Sequence, residues 1–244
     1  MSETNTRVTM LERLKGHLSP QQKQVIKRSL QRGLTMGSKL LTPWRLMENQ
    51  GRVHRRLEIG PGNHRLDGFE TLSVNGGPHV DYVVDASKRL PFADNTFEII
   101  YASHVLEHIP WYSSAQTLRE WVRVIASGGR LEVWVPNGTL IARTWIEAEA
   151  DAEARGRELI AQDGWYKFNE GRDPCLWAAG RIFSYGDGAG TRGDPNWHLA
   201  IFSPRHLAGL MAGAGLIDIV ELDRSQVRGH DHGWINLGMA GRKP

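Results

Sequence analysis

Short apolar runs separated by polar turns fill residues 53–137, and each run ends on a small or polar residue. Runs of this length, bounded by turn residues, predict strands around Leu57 and Ile59 and at 70–74, 80–85, 97–102 and 130–135. A helical period predicts a helix over 113–126, which Ser127-Gly128-Gly129 would cap. Strands that alternate with helices and turns are typical of a parallel α/β sheet.

The second half of the chain changes character. A charged helix is predicted over 139–160, followed by a stretch rich in Trp, Gly and Asp-Pro. Loops of this length inside a compact domain are commonly functional, so residues 139–200 are interpreted as an insertion that covers the substrate. Ser203-Pro204 opens a further helix, and strands at 216–222 and 233–240 follow with a hairpin-like link.

Residues 1–52 are interpreted as a basic helical arm, with ten basic and three acidic residues. Apolar spacing predicts one helix around Val8 to Leu18 and a second from Ser19-Pro20 to a break at Thr42-Pro43. The arm could touch an anionic membrane face, or it could be a lid or packing arm with a solvated basic face. We favour the second interpretation. The rest of the chain has 20 basic and 24 acidic residues, so we predict no nucleic-acid binding.

The cellular location follows from what the sequence lacks. No apolar run approaches the roughly 18 residues of a membrane span, and the first residues have no apolar core of a secretory signal. Cys175 is the only cysteine, so an intrachain disulfide is excluded. These features predict a cytoplasmic protein.

The strongest local feature is Arg55 to Gly62, where a short apolar strand carrying Glu58 runs directly into Gly-Pro-Gly. Such a loop exposes backbone N–H groups and lets a ligand approach closely, although it can also be an ordinary tight turn. An acid beside the loop repels phosphate, and the third glycine of a dinucleotide-binding motif is missing. A ligand with a positive centre or with hydroxyl groups fits better.

Polar residues follow several other predicted strands, namely Asn75, Asp85 and the pair Ser103-His104. The carboxyl ends of parallel strands meet at one edge of the sheet, where ligands of such folds bind. We therefore expect these residues to lie near the Gly-Pro-Gly loop.

Several motifs occur in a fixed order, and together they resemble class I, Rossmann-like S-adenosylmethionine-dependent methyltransferases of the type 11 kind. Among these, the chain is most similar to predicted methyltransferases of surface-polysaccharide and glycosylation gene clusters. The matching segments are Leu57–Gly62, Val80–Asp85, Leu90–Phe97, Ile100–His108, Arg119–Val124, Gly128–Leu131, Val135–Asn137 and Phe202–Leu216.

The resemblance implies an α/β fold: a Rossmann-like, mostly parallel seven-stranded sheet with flanking helices and an antiparallel last strand. It implies a methyltransferase domain over 53–244 and S-adenosylmethionine as cofactor. The Gly-Pro-Gly loop would line the methionine part of the cofactor, and Asn75 would bind the ribose, where the family usually has an acid. Asp85 and Ala86 would contact the adenine, and Ser103 and His104 would lie beside the sulfonium. The implied cofactor-binding residues are Glu58, Gly60, Pro61, Gly62, Asn75, Asp85, Ala86, Ser103 and His104.

The acceptor is predicted to be a hydroxyl of a sugar or glycan. The prediction rests on the resemblance to methyltransferases of polysaccharide gene clusters and on Trp165, Trp177 and Trp197, whose rings could stack on a sugar. His104 and His198 are the candidate catalytic bases. A small aromatic or natural-product acceptor is the alternative, and a non-catalytic module that positions a partner enzyme is another. The sequence does not predict an oligomeric state.

A competing motif spans His104 to His108, which matches the H-x-x-E-H pattern of inverted zinc proteases. That pattern belongs inside a helix, and here it follows a strand. We therefore expect no bound metal and a structural role for His108. His230-Asp231-His232 is interpreted as a plain turn, although a metal pair or an oriented base is an alternative.

Overall fold

The computed structural model describes residues 20–151, 153 and 155–244. The helices are α1 (Pro20–Asn49), α2 (Ser114–Val124), α3 (Gly138–Ala150), α4 (Arg155–Asp163), α5 (Pro174–Phe183) and α6 (Pro204–Gly213). The strands are β1 (Arg56–Ile59), β2 (Glu70–Ser73), β3 (Tyr82–Val83), β4 (Phe97–Ser103), β5 (Ile125–Pro136), β6 (Ile217–Leu222) and β7 (Asn236–Arg242). The helix predicted around Val8 to Leu18 lies outside the described residues.

The strands form one seven-stranded sheet in the order β3-β2-β1-β4-β5-β7-β6. The pairs from β3 through β5 are parallel, and β7 runs antiparallel to both β5 and β6. This confirms the predicted Rossmann-like α/β fold. The strand order reverses between β1 and β4, so a crevice opens beyond the carboxyl ends of these two strands.

The connections on the β1 side of the sheet are short. Residues 60–69 join β1 to β2 as turns, and residues 84–96 join β3 to β4 in the same way. The buried ring of Trp121 on α2 donates its Nε1 hydrogen to the Ala86 carbonyl at 2.9 Å. Helix α2 thereby fixes the loop that follows β3.

Two predicted boundaries are wrong, and each involves glycine. The helix predicted over 139–160 is two helices, because a Cβ on Gly156 would lie 2.6 Å from the Thr144 carbonyl oxygen and its absence lets α4 fold back onto α3. Ser127–Gly129 does not cap α2 but continues β5, where the register against β4 shifts between Phe97 and Ile99. A Gly-Gly pair suits such a bulge as well as it suits a helix end.

Helix α5 lies inside the segment interpreted as an aromatic loop. Asp173 caps it by accepting a hydrogen bond from the Leu176 backbone at 2.8 Å, and Pro174 occupies its first turn. With α3 and α4 it encloses an apolar cluster around Trp177 and Ile160, separate from the apolar core that packs on the sheet. The segment is therefore a packed helical unit.

Helix α1 continues through Pro43 to Asn49, so the break predicted at Thr42-Pro43 is wrong. The reason is tertiary: the Val83 backbone N–H donates to Thr42 Oγ1 at 3.0 Å, and Asn49 Nδ2 donates to the Tyr82 hydroxyl at 2.6 Å. These contacts hold the helix against β3. They agree with a packing arm, and contact with a membrane surface stays a prediction. Among the described helices, none has the length and apolarity that crossing a membrane requires.

Replacing Thr42 with valine is expected to loosen α1. The change removes the acceptor of the buried Val83 N–H, and an unpaired buried donor costs about 1–3 kcal/mol. We expect the free energy of unfolding, measured by urea denaturation, to fall by about that amount. Thr42→Ser keeps the hydroxyl and should cost clearly less. Equal stabilities for the two variants would contradict this role of Thr42.

Candidate active site

The Gly-Pro-Gly loop is tightly constrained. Gly60 and Gly62 have φ of +75° and +61°, a conformation that side chains disfavour. A Cβ on Gly60 would lie 2.3 Å from Cγ2 of Val105, in the turn after β4. The Gly60 N–H donates to the Leu72 carbonyl at 2.8 Å. The loop is therefore wedged at the switch point between β1 and β4.

Glu58 lies beneath this loop, as the sequence predicts. Its side chain is buried, and Oε2 accepts a hydrogen bond from the Leu66 backbone at 2.8 Å. Burial raises the pKa of the Glu58 carboxyl above its ordinary value, although the Leu66 hydrogen bond and the nearby Arg65 oppose that rise.

The loop after β2 carries Asn75, which is exposed. Helix α1 fixes its neighbour Gly76 twice: the Gly76 N–H donates to Thr35 Oγ1 at 2.9 Å, and Gln31 Nε2 donates to the Gly76 carbonyl at 2.7 Å. Nothing in the sequence indicates that the basic arm holds this loop.

Asp85 and Ala86 follow β3. Oδ1 of Asp85 accepts hydrogen bonds from the backbone and the hydroxyl of Ser87, at 2.9 and 2.7 Å, so the carboxylate shapes its own turn. Ala86 is buried and its carbonyl binds Trp121. The predicted cofactor residues thus follow β1, β2, β3 and β4 at one edge of the sheet.

His104 follows β4 with φ of +53°, an uncommon conformation for a side-chain-bearing residue. Its Nδ1 lies 3.0 Å from Oε1 of Glu107, and its Nε2 lies 2.9 Å from Oδ1 of Asn236. The Asn236 amide nitrogen donates to Asp231 at 2.9 Å, which orients its oxygen toward His104. Both ring nitrogens therefore face oxygen acceptors and both carry protons.

The ionisation of this pair follows from its contacts. Burial disfavours the charged form of His104, but the Glu107 carboxylate outweighs it and raises the pKa of His104 above its ordinary value. Burial likewise opposes the charge of Glu107, while His104, His108 and His198 together lower the pKa of Glu107 below its ordinary value. A buried imidazolium–carboxylate pair results.

Two further histidines lie beside this pair and stay neutral. His232 stacks on His104 with ring centroids 3.6 Å apart, and burial followed by the charge of His104 lowers the pKa of His232 to about 4. His198 meets His108 edge-on at 4.9 Å, and burial lowers the pKa of His198. Nδ1 of His198 lies 3.2 Å from the Arg181 carbonyl. That nitrogen must carry the proton, because a carbonyl only accepts, and Nε2 keeps its lone pair.

These side chains border a cavity of about 280 Å³. Aromatic and cationic residues of the insertion form its other side: the Trp165 and Tyr185 rings lie 4.6 Å apart, and the Arg181 guanidinium lies 3.8 Å from the Trp165 ring. The lining includes His104, Glu107, Trp165, Lys167, Arg181, Tyr185, His198 and His232.

The structure brings together both candidate bases, His104 and His198, although 94 positions separate them. Of the three tryptophans, Trp165 lines the cavity, Trp177 is fully buried beside Trp234, and Trp197 packs against Gly186. Sequence analysis assigned no role to Glu107, although the H-x-x-E-H motif contains it, and it missed Arg181, which does not stand out locally. It also missed the contact of His232 with His104, since a His-Asp-His turn fits any surface loop.

The family comparison agrees with this geometry. Residues 51–133 match the family model Methyltransf_11, described as a methyltransferase domain. The match runs from just before β1 into β5 and so contains the Gly-Pro-Gly loop and the ends of β1 to β4. A search of curated proteins finds no significant match to the sequence.

Solved structures share the general architecture at low identity. A methyltransferase from Thermotoga maritima is 15% identical, with 90% of this chain and 96% of that chain covered and a TM-score of 0.41. The methyltransferase CalH in complex with SAH is 15% identical, with 88% and 59% covered and a TM-score of 0.44. The CurJ carbon methyltransferase is 13% identical, with 84% of this chain covered and a TM-score of 0.44. This chain spans 53% of that protein, about half its length.

At TM-scores below 0.5 these structures support no inference about the substrate. The family match and the fold support a conclusion about the type of domain and its cofactor, but not about the acceptor. Residues 51–133 match the model of a methyltransferase domain, and the cofactor that this match supports is S-adenosylmethionine.

Proposed function

We propose that this protein transfers the methyl group of S-adenosylmethionine to a hydroxyl group of a sugar or glycan. The observation that carries the proposal is the cavity beside His104, because its lining combines flat aromatic rings with cationic and imidazole groups. A sugar presents a flat C–H face to an aromatic ring and a rim of hydroxyls to polar side chains.

The cofactor would lie across the carboxyl ends of β1 to β4. Glu58 and the loop of Gly60, Pro61 and Gly62 would hold its methionine part, while Asn75 would bind the ribose hydroxyls. Asp85 and Ala86 would meet the adenine, and Ser103 and His104 would flank the sulfonium. The buried carboxylate of Glu58 and the close approach at Gly60 support this placement.

His198 is the better candidate base of the two predicted histidines. Both nitrogens of His104 face acceptors, whereas Nε2 of His198 keeps a lone pair and the lowered pKa of His198 keeps the ring neutral near pH 7. Such a base could take the proton of an acceptor hydroxyl. His104 and Glu107 would then hold the wall of the cavity. The sulfonium is already activated, so positioning supplies most of the acceleration.

The alternative acceptors fit the cavity less well. A small aromatic acceptor favours a closed apolar pocket, whereas Lys167, Arg181 and the histidines make this lining polar. A non-catalytic module would need no acceptor cavity. The segment that supplies the cavity wall supports the proposed domain organisation, with residues 139–200 as a substrate-covering insertion within 53–244.

Replacing Trp165 with alanine should weaken binding of a sugar acceptor. Methyl transfer from labelled S-adenosylmethionine is measured first with nucleotide sugars and oligosaccharides, and in parallel with small phenols. We expect transfer to a sugar, and a KM raised about two- to tenfold in Trp165→Ala, because a stacking contact contributes about 0.5–1.5 kcal/mol.

The matched control is Trp44→Ala, since Trp44 is an exposed tryptophan of α1 outside the cavity lining. Its KM should equal that of the wild type. Transfer to phenols but to none of the sugars would contradict the proposed acceptor, and so would equal KM values for both variants.

A further inference from the structure

Three side chains beside the cavity are arranged like the ligands of a metal ion. Glu107 and His108 come from the single turn after β4, and His198 comes from the segment before α6. Each of the three offers one ligand atom, and these atoms all lie within 4.8 Å of one another. The H-x-x-E-H spacing alone does not reveal this set, because the third ligand is 90 residues away and His104 is not part of it.

Backbone contacts fix the two segments to each other. The carbonyl of Glu107 accepts hydrogen bonds from the N–H groups of Leu199 and Ala200, at 2.7 and 3.1 Å. The segment that carries His198 is therefore attached to the turn that carries the other two ligands. Pre-positioned ligands of this kind lower the cost of organising a metal site.

The hydrogen bonds of the two histidines leave Nε2 as the nitrogen available for coordination. Nδ1 of His108 lies 3.2 Å from the Trp197 carbonyl, and Nδ1 of His198 lies 3.2 Å from the Arg181 carbonyl. Carbonyl oxygens only accept, so each Nδ1 carries the proton and each Nε2 is left with a lone pair. Metal-binding histidines are held in this way, with the second ring nitrogen donating to a backbone carbonyl or a carboxylate.

The buried carboxylate of Glu107 is a second, independent observation that points to a cation. Its side chain is 1% exposed, and within the described part of the chain Oε2 has no hydrogen-bond partner. The ring of His104, 3.0 Å away, faces only Oε1. A buried carboxylate oxygen is costly unless it is hydrogen-bonded, paired or coordinated to a metal, so a metal ion would satisfy Oε2.

We propose that Glu107, His108 and His198 bind one divalent transition-metal ion, with Zn²⁺ as the preferred occupant. Two imidazoles and one carboxylate suit zinc and its neighbours, whereas Mg²⁺ and Ca²⁺ prefer oxygen ligands only. Ligand atoms of tetrahedral zinc lie about 3.4 Å apart, so small side-chain movements close the site.

Three protein ligands leave one coordination position open toward the cavity. If the proposed function holds, the acceptor hydroxyl would occupy that position, where the ion would lower its pKa so that its proton leaves to water as the oxygen takes the methyl group from the sulfonium. His198 then acts as a ligand, and the ion replaces it in activating the acceptor. This part of the inference rests on the proposed function, whereas zinc binding itself does not.

The test is a titration of the full-length chain, first treated with chelator and then dialysed. Zn²⁺ binding is measured by calorimetry, and Co²⁺ binding by the visible absorption of a tetrahedral site. We expect one equivalent of each ion in the wild type. His198→Ala and Glu107→Gln should weaken binding by about 100-fold or more, because the first removes a ligand and the second replaces an anionic ligand with a neutral amide. Glu107→Gln preserves the shape of the side chain, and circular dichroism checks that both variants fold.

His206→Ala is the matched control, because His206 is an exposed histidine of α6 outside the ligand set. It should bind zinc like the wild type. The absence of zinc binding in the wild type overturns the proposal, and so does equal affinity in His198→Ala and His206→Ala. Binding of S-adenosylmethionine is measured on the same samples. Cofactor binding without zinc binding refutes the metal site alone, and zinc binding without cofactor binding refutes the proposed function alone.

Discussion

Replacing Gly60 with valine should abolish measurable binding of S-adenosylmethionine. Gly60 has a φ of +75°, where a β-branched residue is an outlier, and its Cβ would lie 2.3 Å from Cγ2 of Val105. The loop must move to relieve that contact, and it lies at the proposed position of the methionine part. We expect calorimetry to show affinity reduced by about 100-fold or more, which corresponds to about 3 kcal/mol.

Gly128→Val separates this effect from general backbone strain. Gly128 has a φ of +78°, and a Cβ there would meet no atom within 4 Å. It lies near the start of β5, at the opposite edge of the sheet from the loop. This variant should lose stability, because L-residues disfavour that conformation by about 1–2 kcal/mol, and yet bind the cofactor like the wild type. Wild-type affinity in Gly60→Val would show that the cofactor does not use the loop.

The half of the fold that lies between β1 and β5 could be predicted from the sequence because its signals are local. Each strand is a short apolar run that ends on a turn, and the side chain that matters chemically follows directly. Glu58 and Asp85 stand at those ends. The topology of a parallel sheet then brings the ends to one edge, so that no long-range information is needed.

Other features depend on contacts between distant segments. Helix α1 passes through Pro43 because Thr42 and Asn49 bind β3, a tertiary effect that overrides the local signal of proline. Nothing local distinguishes Trp165, which lines the cavity, from Trp177, which is buried in the core. Helix α5 could have been found, since Asp173-Pro174 is an ordinary helix start.

The chemistry of the histidine cluster was the least predictable part. Glu107 sits in a motif that suggests a helix, yet the chain forms a single turn there and aims the carboxylate at His104. The position of His198 depends on how the insertion folds, and no hydrophobic periodicity in the sequence predicts that fold. The candidate bases could be named from the sequence, but their protonation states could be derived only from the contacts of each ring nitrogen in the structure.

Replacing Glu70 with alanine should be the most destabilising single change outside the proposed site. Glu70 is buried and accepts two hydrogen bonds at 2.8 Å from Arg55, whose side chain is only 9% exposed. The Tyr82 hydroxyl also donates to Glu70, and it accepts in turn from Asn49. This chain of contacts joins β2, β3 and α1 to the segment before β1. Loss of the Glu70 carboxylate leaves the Arg55 guanidinium without its ion-pair partner and the Tyr82 hydroxyl without an acceptor in the interior.

Breaking a buried ion pair from one side costs about 3–5 kcal/mol, and we expect urea denaturation to show a loss of that size for Glu70→Ala. The double variant Arg55→Met/Glu70→Leu should recover much of it, because no buried charge remains. Glu98→Ala is the surface control: its partner His54 is largely exposed, so the expected change is below about 1 kcal/mol. If Glu70→Ala and Glu98→Ala cost the same, Arg55 must find water in the variant, and the network does not hold β2 and β3 in place beneath the cofactor loops.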